Sequence, residues 1–365
     1  MNLIYKMASI LLSEKSDNFL YMSNLMNGGI IMKACIFTGH PSWKDGLNET
    51  TQKFWDDALS SMTDITDYSV YNVYGLNFKT MDELIGDADI CVGLFLGPDI
   101  NEDFFKRHPN LKYISTLSMG YGQFDKKLIN QLGITVTNTL YGAQTIAQFS
   151  MALLMDICHN IGYNSSLLKN TDWNDVSNPS DIIDNTSRQI ELYDKTIGII
   201  GIGHVGLWLA RMAHGFGMHV LGHSRTIKTG AEYDIIEQVS LDELYRRSDI
   251  ISLNCSENPS SVGIINKESI AKMKDGVIII NDARGSLIVE EDLEKALYSG
   301  KVYAAGLDAT SFDTKKKHIP LMDCPNTRIT SHIAWFPMEA RMRDIQIAAE
   351  NLKNYLSGNP TSVIA

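Results

Sequence analysis

No run of about 18 apolar residues occurs in the chain, which excludes a transmembrane helix. Cysteine is scarce and scattered. Cys35, Cys91, Cys158, Cys255 and Cys324 form no Cys-x-x-Cys and no His/Cys pair at metal spacing, so no structural zinc or other metal site is expected. They read as small apolar residues of a reducing compartment, which implies a cytoplasmic protein. Basic charge is also short. Lys and Arg number 32 against 43 Asp and Glu, a formal net charge of −11. Phosphate backbones demand clustered basic residues, so a nucleic-acid partner is excluded. The acidity serves solubility. No solenoid-type repeat is present.

What remains is a chain of 365 residues, 44% hydrophobic and 21% charged, long enough for two domains with a core each. The stretch Met7 to Leu12 is apolar, but Glu14, Lys15 and Asp17 follow at once, and a secretory h-region would run longer. The strand-like segment Lys33 to Thr38 comes directly after Met32. Residues 1–31 are therefore read as an extension outside the fold, with Met32 as the natural start.

From Met32 onward, short apolar runs alternate with longer amphipathic ones. Strands are predicted at 33–38, 88–96, 111–116 and 135–138, with helices over Asn48 to Met62 and Phe124 to Leu132. A long helix is predicted from about Thr145 to Ile161, then a polar stretch, Asn164 to Asn185, with few strand or helix signals. A second series places strands near 196–200, 219–224, 249–254, 276–282, 304–308 and 328–331. A closing helix, Met338 to Leu356, ends at Gly358 and Pro360. The alternation implies an α/β fold with two parallel-sheet domains.

Gly201-Ile202-Gly203-His204-Val205-Gly206 follows the apolar strand Ile197 to Ile200 and precedes a helix carrying Leu207, Leu209, Ala210 and Met212. In that setting the first glycine permits a tight turn and the second lets the main chain approach a pyrophosphate. The third lets helix and strand pack closely. This is a dinucleotide site. An Asp or Glu about 20 residues on would bind the ribose diol of NAD. The chain has Ser224, Arg225 and Thr226 instead, a guanidinium and two hydroxyls suited to a 2′-phosphate. NADPH is thus favoured over NADH, the alternative being that Arg225 stacks on the adenine or points to solvent.

Distinctive polar residues end successive strands: Asn254, Arg284, Asp308 and, just past Thr330-Ser331, His332. Ligands bind at that edge of an open α/β sheet. Arg284 suits a substrate carboxylate held by a bidentate pair, and His332 suits proton donation to a ketone as hydride arrives.

Together these residues resemble the D-isomer-specific 2-hydroxyacid dehydrogenases, from Met32 to Pro360. The likeness extends to Leu117-Ser118-Met119-Gly120-Tyr121, Val136 to Thr139, Asn281-Asp282-Ala283-Arg284-Gly285, Gly306-Leu307-Asp308 and His332-Ile333-Ala334-Trp335. The resemblance implies that Arg284 binds and activates a 2-oxo acid and that His332 is the acid/base. It also implies that main-chain amides of Ser118, Met119 and Gly120 hold the carboxylate, that Trp335 lines the pocket and that Asp308 meets the nicotinamide carboxamide. The family's glutamate partner to the histidine falls here on Asp313, one methylene shorter. Paired so, it would raise the His332 pKa.

His-Ile-Ala-Trp and the Trp173 region look most like glycerate dehydrogenases and hydroxypyruvate or glyoxylate reductases. The loop Gly93-Leu94-Phe95-Leu96-Gly97-Pro98 carries no cation for a phosphorylated substrate. By the resemblance, residues 32–138 and 333–365 form a flavodoxin-like substrate-binding domain, 139–332 a Rossmann domain, and the protein is a homodimer. Two other readings stay open: a D-lactate-type dehydrogenase acting on other 2-oxo acids, and a dinucleotide-sensing protein similar to the corepressors of this fold.

Overall fold

The computed structural model describes residues 32–39, 47–73, 76–94, 100–174, 176–178, 180, 182, 186–311 and 318–365. The expected extension 1–31, the loop residues Phe95 to Pro98 and Asp313 lie outside the described residues. The chain divides into two compact units, one of Met1–Tyr141 with Met338–Ala365 and one of Gly142–Pro337.

In the first unit, strands β1 (Met32–Phe37), β2 (Ile65–Tyr71), β3 (Ile90–Gly93), β4 (Tyr113–Thr116) and β5 (Thr135–Asn138) form one parallel sheet in the order β2-β1-β3-β4-β5. Helices α1 (Leu47–Ser60), α2 (Phe78–Ile85), α3 (Glu102–Arg107) and α4 (Lys126–Leu132) lie between the strands. Central strands β3 and β4 are buried at every position, as a sheet covered on both faces requires. One core gathers Phe37, Cys91, Phe104, Ile114, Ile129 and Val136. The sequence pattern misses β2. It is an edge strand, exposed or half-exposed after Ile65, so it has no apolar run to betray it.

The second unit holds seven parallel strands: β6 (Thr196–Ile200), β7 (His219–His223), β8 (Glu237–Gln238), β9 (Ile250–Leu253), β10 (Val277–Asn281), β11 (Val302–Leu307) and β12 (Thr327–Ile329). Their order is β12-β11-β10-β9-β6-β7-β8. The chain runs outward from β6 to β8, returns to β9 beside β6, and continues the other way. The switch point between β6 and β9 opens a crevice at their carboxyl ends. The connecting helices are α7 (His204–Gly215), α8 (Leu241–Arg247), α9 (Lys267–Lys272) and α10 (Glu290–Tyr298).

The expected long helix is α5 (Ala143–His159), ended by Asn160 in the left-handed region at φ 44°. It packs on α7 and β11. Contrary to the sequence expectation for the polar stretch, α6 (Ile161–Asn170) follows directly. It buries none of its residues, so its pattern carries no inward stripe to detect. The closing helix, α11 (Met338–Leu356), belongs to the first unit, against α1 and β4, where Asn351 donates to the Asn138 carbonyl at 3.0 Å. No helix among the described residues is long and apolar enough to cross a membrane.

Candidate active site

The glycine-rich turn is built as its spacing demands. Gly201 adopts φ +100°, and a Cβ there would press on the main chain of Asn254 and Cys255 at 2.6–2.7 Å, so only glycine fits. A Cβ on Gly206 would lie 2.2 Å from the Gly201 carbonyl, which is the close approach of helix to strand. Gly203 is different. A Cβ there meets nothing within 4 Å. The space above Gly203 is open, and no described side chain caps α7, which leaves its first amides at His204 and Val205 available to an anion. That cradle fits a dinucleotide pyrophosphate.

Next to it, Asn254 donates to Ser252 Oγ at 2.9 Å and its buried Oδ1 has no donor among the described residues, an acceptor suited to a ligand. At the end of β7, the Ser224 hydroxyl donates to the Thr226 carbonyl at 2.5 Å. Arg225 is exposed and without an ion pair among the described residues; its charge reaches Cys255, whose thiol burial pushes up and this cation pulls partly back. Its cation therefore stands free beside the glycine turn.

On the other side of the switch point, Asn281 closes β10 fully buried. Its side-chain amide donates to the Arg284 and Ala309 carbonyls at 2.9 and 3.2 Å and its Oδ1 accepts from the Ala283 amide at 3.1 Å. This residue folds the turn that presents Arg284 to solvent, with one guanidinium nitrogen on the Ala283 carbonyl at 2.7 Å. Neither Asn281 nor its neighbour Asp282 is given a role by sequence reasoning. The available signal is two polar residues ending an otherwise apolar strand.

Asp308, at the end of β11, is buried and accepts from Thr330 Oγ1 at 2.6 Å and from the amides of Ile333 and Ala334 at 2.8 Å each. These bonds hold the loop that carries His332, itself in the left-handed region at φ 60°. A non-glycine residue there is strained and persists because the loop is pinned on both sides. Trp335 closes the loop, its indole donating to the His332 carbonyl at 2.8 Å.

His332 is exposed as a residue, yet partial loss of water around its ring lowers its pKa. The Asp308 charge pulls it back up, and the Arg284 cation pushes it down again. The rise expected from pairing with Asp313 concerns a residue outside the described set, and the described surroundings act in the opposite direction. Arg284, Asp308 and His332 are thus gathered at one edge of the second unit.

Ser118, Met119 and Gly120 belong to the first unit, at the carboxyl end of β4. The three carbonyls are occupied, by the Thr139 amide at 3.2 Å, Asn138 Nδ2 at 2.7 Å and Ser118 Oγ at 2.7 Å. Their amides donate to nothing among the described residues, which leaves a half-buried row of N–H donors for an anion. Among the described residues no group of His, Cys, Asp and Glu could hold a metal ion.

The chain is similar to several known proteins. Residues 151–334 match the model of the D-isomer specific 2-hydroxyacid dehydrogenase NAD-binding domain. A hydroxypyruvate reductase of Blautia hydrogenotrophica is 42% identical over 281 residues, covering 77% of this chain and 86% of its own. A glyoxylate/hydroxypyruvate reductase B of Yersinia pestis bv. Antiqua is 32% identical over 295 residues, covering 80% and 89%. Among solved structures, an acyclic imino acid reductase in complex with NADPH and D-Arg superposes with a TM-score of 0.75 at 26% identity, over 91% of this chain and all of that one. The chain is an NAD(P)-dependent oxidoreductase and belongs to the D-isomer specific 2-hydroxyacid dehydrogenase family.

Proposed function

We propose that the protein reduces a small 2-oxo acid, hydroxypyruvate or glyoxylate, to the corresponding D-2-hydroxy acid, D-glycerate or glycolate, with NADPH preferred over NADH. The observation that carries this reading is the set of Arg284, Asp308 and His332 at consecutive strand ends beside a glycine turn with open space over Gly203. The names of the two similar reductases point to the same substrates.

The reduced nicotinamide, when bound, supplies the hydride. The pyrophosphate would rest on Gly203, His204 and Val205, and the free acceptor of Asn254 would take a hydrogen bond from the cofactor. Asp308 would meet the carboxamide through lone pairs left over from the loop. Arg225 and Thr226 would hold a 2′-phosphate. Arg284 grips the substrate carboxylate and polarises the carbonyl. His332 Nε2 or Nδ1 then gives a proton to the forming alkoxide. On the first unit the amides of Ser118 to Gly120 are the proposed carboxylate donors, and on the second Trp335 is a proposed pocket residue. Asp313 is the partner of the histidine in this scheme.

The protein works as a homodimer in this reading. Helix α6 and the turn after it expose Ile161, Tyr163, Leu168 and Trp173, apolar side chains whose burial against a second copy is favourable. Sedimentation of Ile161→Glu against the parent chain tests it, with a monomer expected for the variant only.

Absorbance at the reduced-nicotinamide band, with hydroxypyruvate, glyoxylate and pyruvate and with NADH and NADPH in parallel, tests the activity. Hydroxypyruvate or glyoxylate with NADPH should turn over fastest. Tight cofactor binding without turnover of any oxo acid would remove the enzymatic reading.

A further inference from the structure

Asp282 is a buried acid that takes no part in the reaction proposed above. It follows β10 directly. Ser150 of α5 lies against it, with Oγ 2.5 Å from Asp282 Oδ2 and 3.2 Å from the Ile146 carbonyl. A hydroxyl has one proton and two lone pairs, so the trio has two complete arrangements. With Asp282 ionised, Ser150 donates to the carboxylate. With Asp282 protonated, the carboxyl donates to Ser150 Oγ, and Ser150 turns its own proton to the Ile146 carbonyl. Either state is hydrogen-bonded through the movement of one hydroxyl proton.

The second oxygen, Oδ1, is buried without a donor among the described residues, which penalises the charged state. Across the strand end stands Asp308, whose charge is committed to Thr330 and to the Ile333 and Ala334 amides. Among charged groups, Asp308 on β11 bears on Asp282; Ser150 is the polar contribution of α5. Asp308 in turn bears on His332 together with Arg284. Burial pushes Asp282 up to about 7 and the Ser150 hydroxyl pulls it down, while Asp308 acts both ways, its charge raising it and its main-chain amide lowering it.

We propose that Asp282 is a positioning residue that governs His332 through Asp308: neutral Asp282 leaves the Asp308 carboxylate to hold the His332 loop, and ionised Asp282 repels that carboxylate and loosens its grip on the Ile333 and Ala334 amides. The proton released goes to solvent. This inference rests on the reading of His332 as the proton donor.

The pH profile of kcat/KM for hydroxypyruvate reduction with NADPH reads it directly. For the parent enzyme, log kcat/KM should fall with a slope near 1 from His332 and steepen toward 2 above neutrality as Asp282 ionises. Asp282→Asn should keep the single slope and exceed the parent by about tenfold near pH 8 and about a hundredfold near pH 9. Ser150→Ala should move the steepening to higher pH, because the ionised form loses its hydrogen bond. A second measurement is independent of turnover. In protein labelled at histidine Cε1, the His332 resonance should show a second inflection near neutrality that Asp282→Asn abolishes. Superposable profiles for parent and Asp282→Asn, or a His332 resonance blind to any second titration, would overturn the proposal. If the parent reduces no oxo acid, the reading of function fails, and the resonance alone decides the role of Asp282.

Discussion

Asp308 holds His332 through the main chain as well as acting on its imidazole by charge. Its carboxylate accepts from the amides of Ile333 and Ala334, the two residues that follow the histidine, at 2.8 Å each. Bonds to an ionised acceptor are worth roughly 1.5–3 kcal/mol each. Asp308→Ala should therefore cost about 2–4 kcal/mol of stability and free the strained His332 backbone to relax. Turnover should fall by about a hundredfold or more even where the variant stays folded, with thermal unfolding and steady-state kinetics as the paired measurements.

His332 should be separable from cofactor binding. Replacement by Gln removes the titrating proton and keeps a polar side chain. A loss of about 10²–10⁴ in kcat is expected, the range of a general acid, with NADPH affinity unchanged by fluorescence titration. Equal loss of both would contradict the role.

The lowered His332 pKa fixes the direction of the pH dependence. The protonated ring is the donor for reduction, so kcat/KM for the oxo acid should decline as pH rises through a midpoint below the ordinary histidine value. Oxidation of the hydroxy acid needs the neutral ring and should rise over the same interval. Initial rates in both directions across a buffer series check this, and a midpoint above the ordinary value would place Asp313 in control.

Two glycines of one motif should fail differently. Gly203→Ala puts a methyl into open space, so the free protein should melt within a degree or two of the parent while cofactor affinity falls by more than about tenfold. Gly206→Ala drives a methyl into the Gly201 carbonyl and should lower stability by about 1–3 kcal/mol before any ligand is added. Differential scanning fluorimetry with and without NADPH distinguishes the two.

Stability should fall as pH rises, which is the reverse of most acids. Burial raises Asp344, in α11, to about 8. The unfolded chain therefore releases its proton near the ordinary carboxylate value while the folded chain keeps it. The contribution is fully present below the unfolded pKa and is lost between there and about 8, by up to about 1.4 kcal/mol per pH unit. Asp344→Asn should flatten that decline in urea unfolding measured at several pH values.

Much of the architecture is legible in the chain because parallel strands buried on both faces are short apolar runs, and Ile197 to Ile200 or Val277 to Ile280 cannot be mistaken. The edge strand β2 and the exposed helix α6 escape the same reading, since neither presents an apolar stripe to one side. Gly201, Gly203 and Gly206 are legible because the requirement they meet is local: a turn, a ligand approach and a helix contact within six residues. Arg284 and His332 are legible as residue types at strand ends.

The roles around them are not, because they depend on partners far apart in the chain. Ser150 meets Asp282 across 132 residues, and Asp308 meets the amides of Ile333 and Ala334 across 25 and 26. No spacing rule relates such positions. The sequence by itself determined the two α/β units, the dinucleotide turn and the inventory of an acid, a guanidinium and an imidazole, since local pattern and short-range sterics encode these. Only the tertiary structure decided that Asp308 holds the His332 loop, that Asn281 shapes the Arg284 turn and that burial sets the proton affinity of Asp282 and His332. Burial and long-range hydrogen bonding come into being only when the strands assemble.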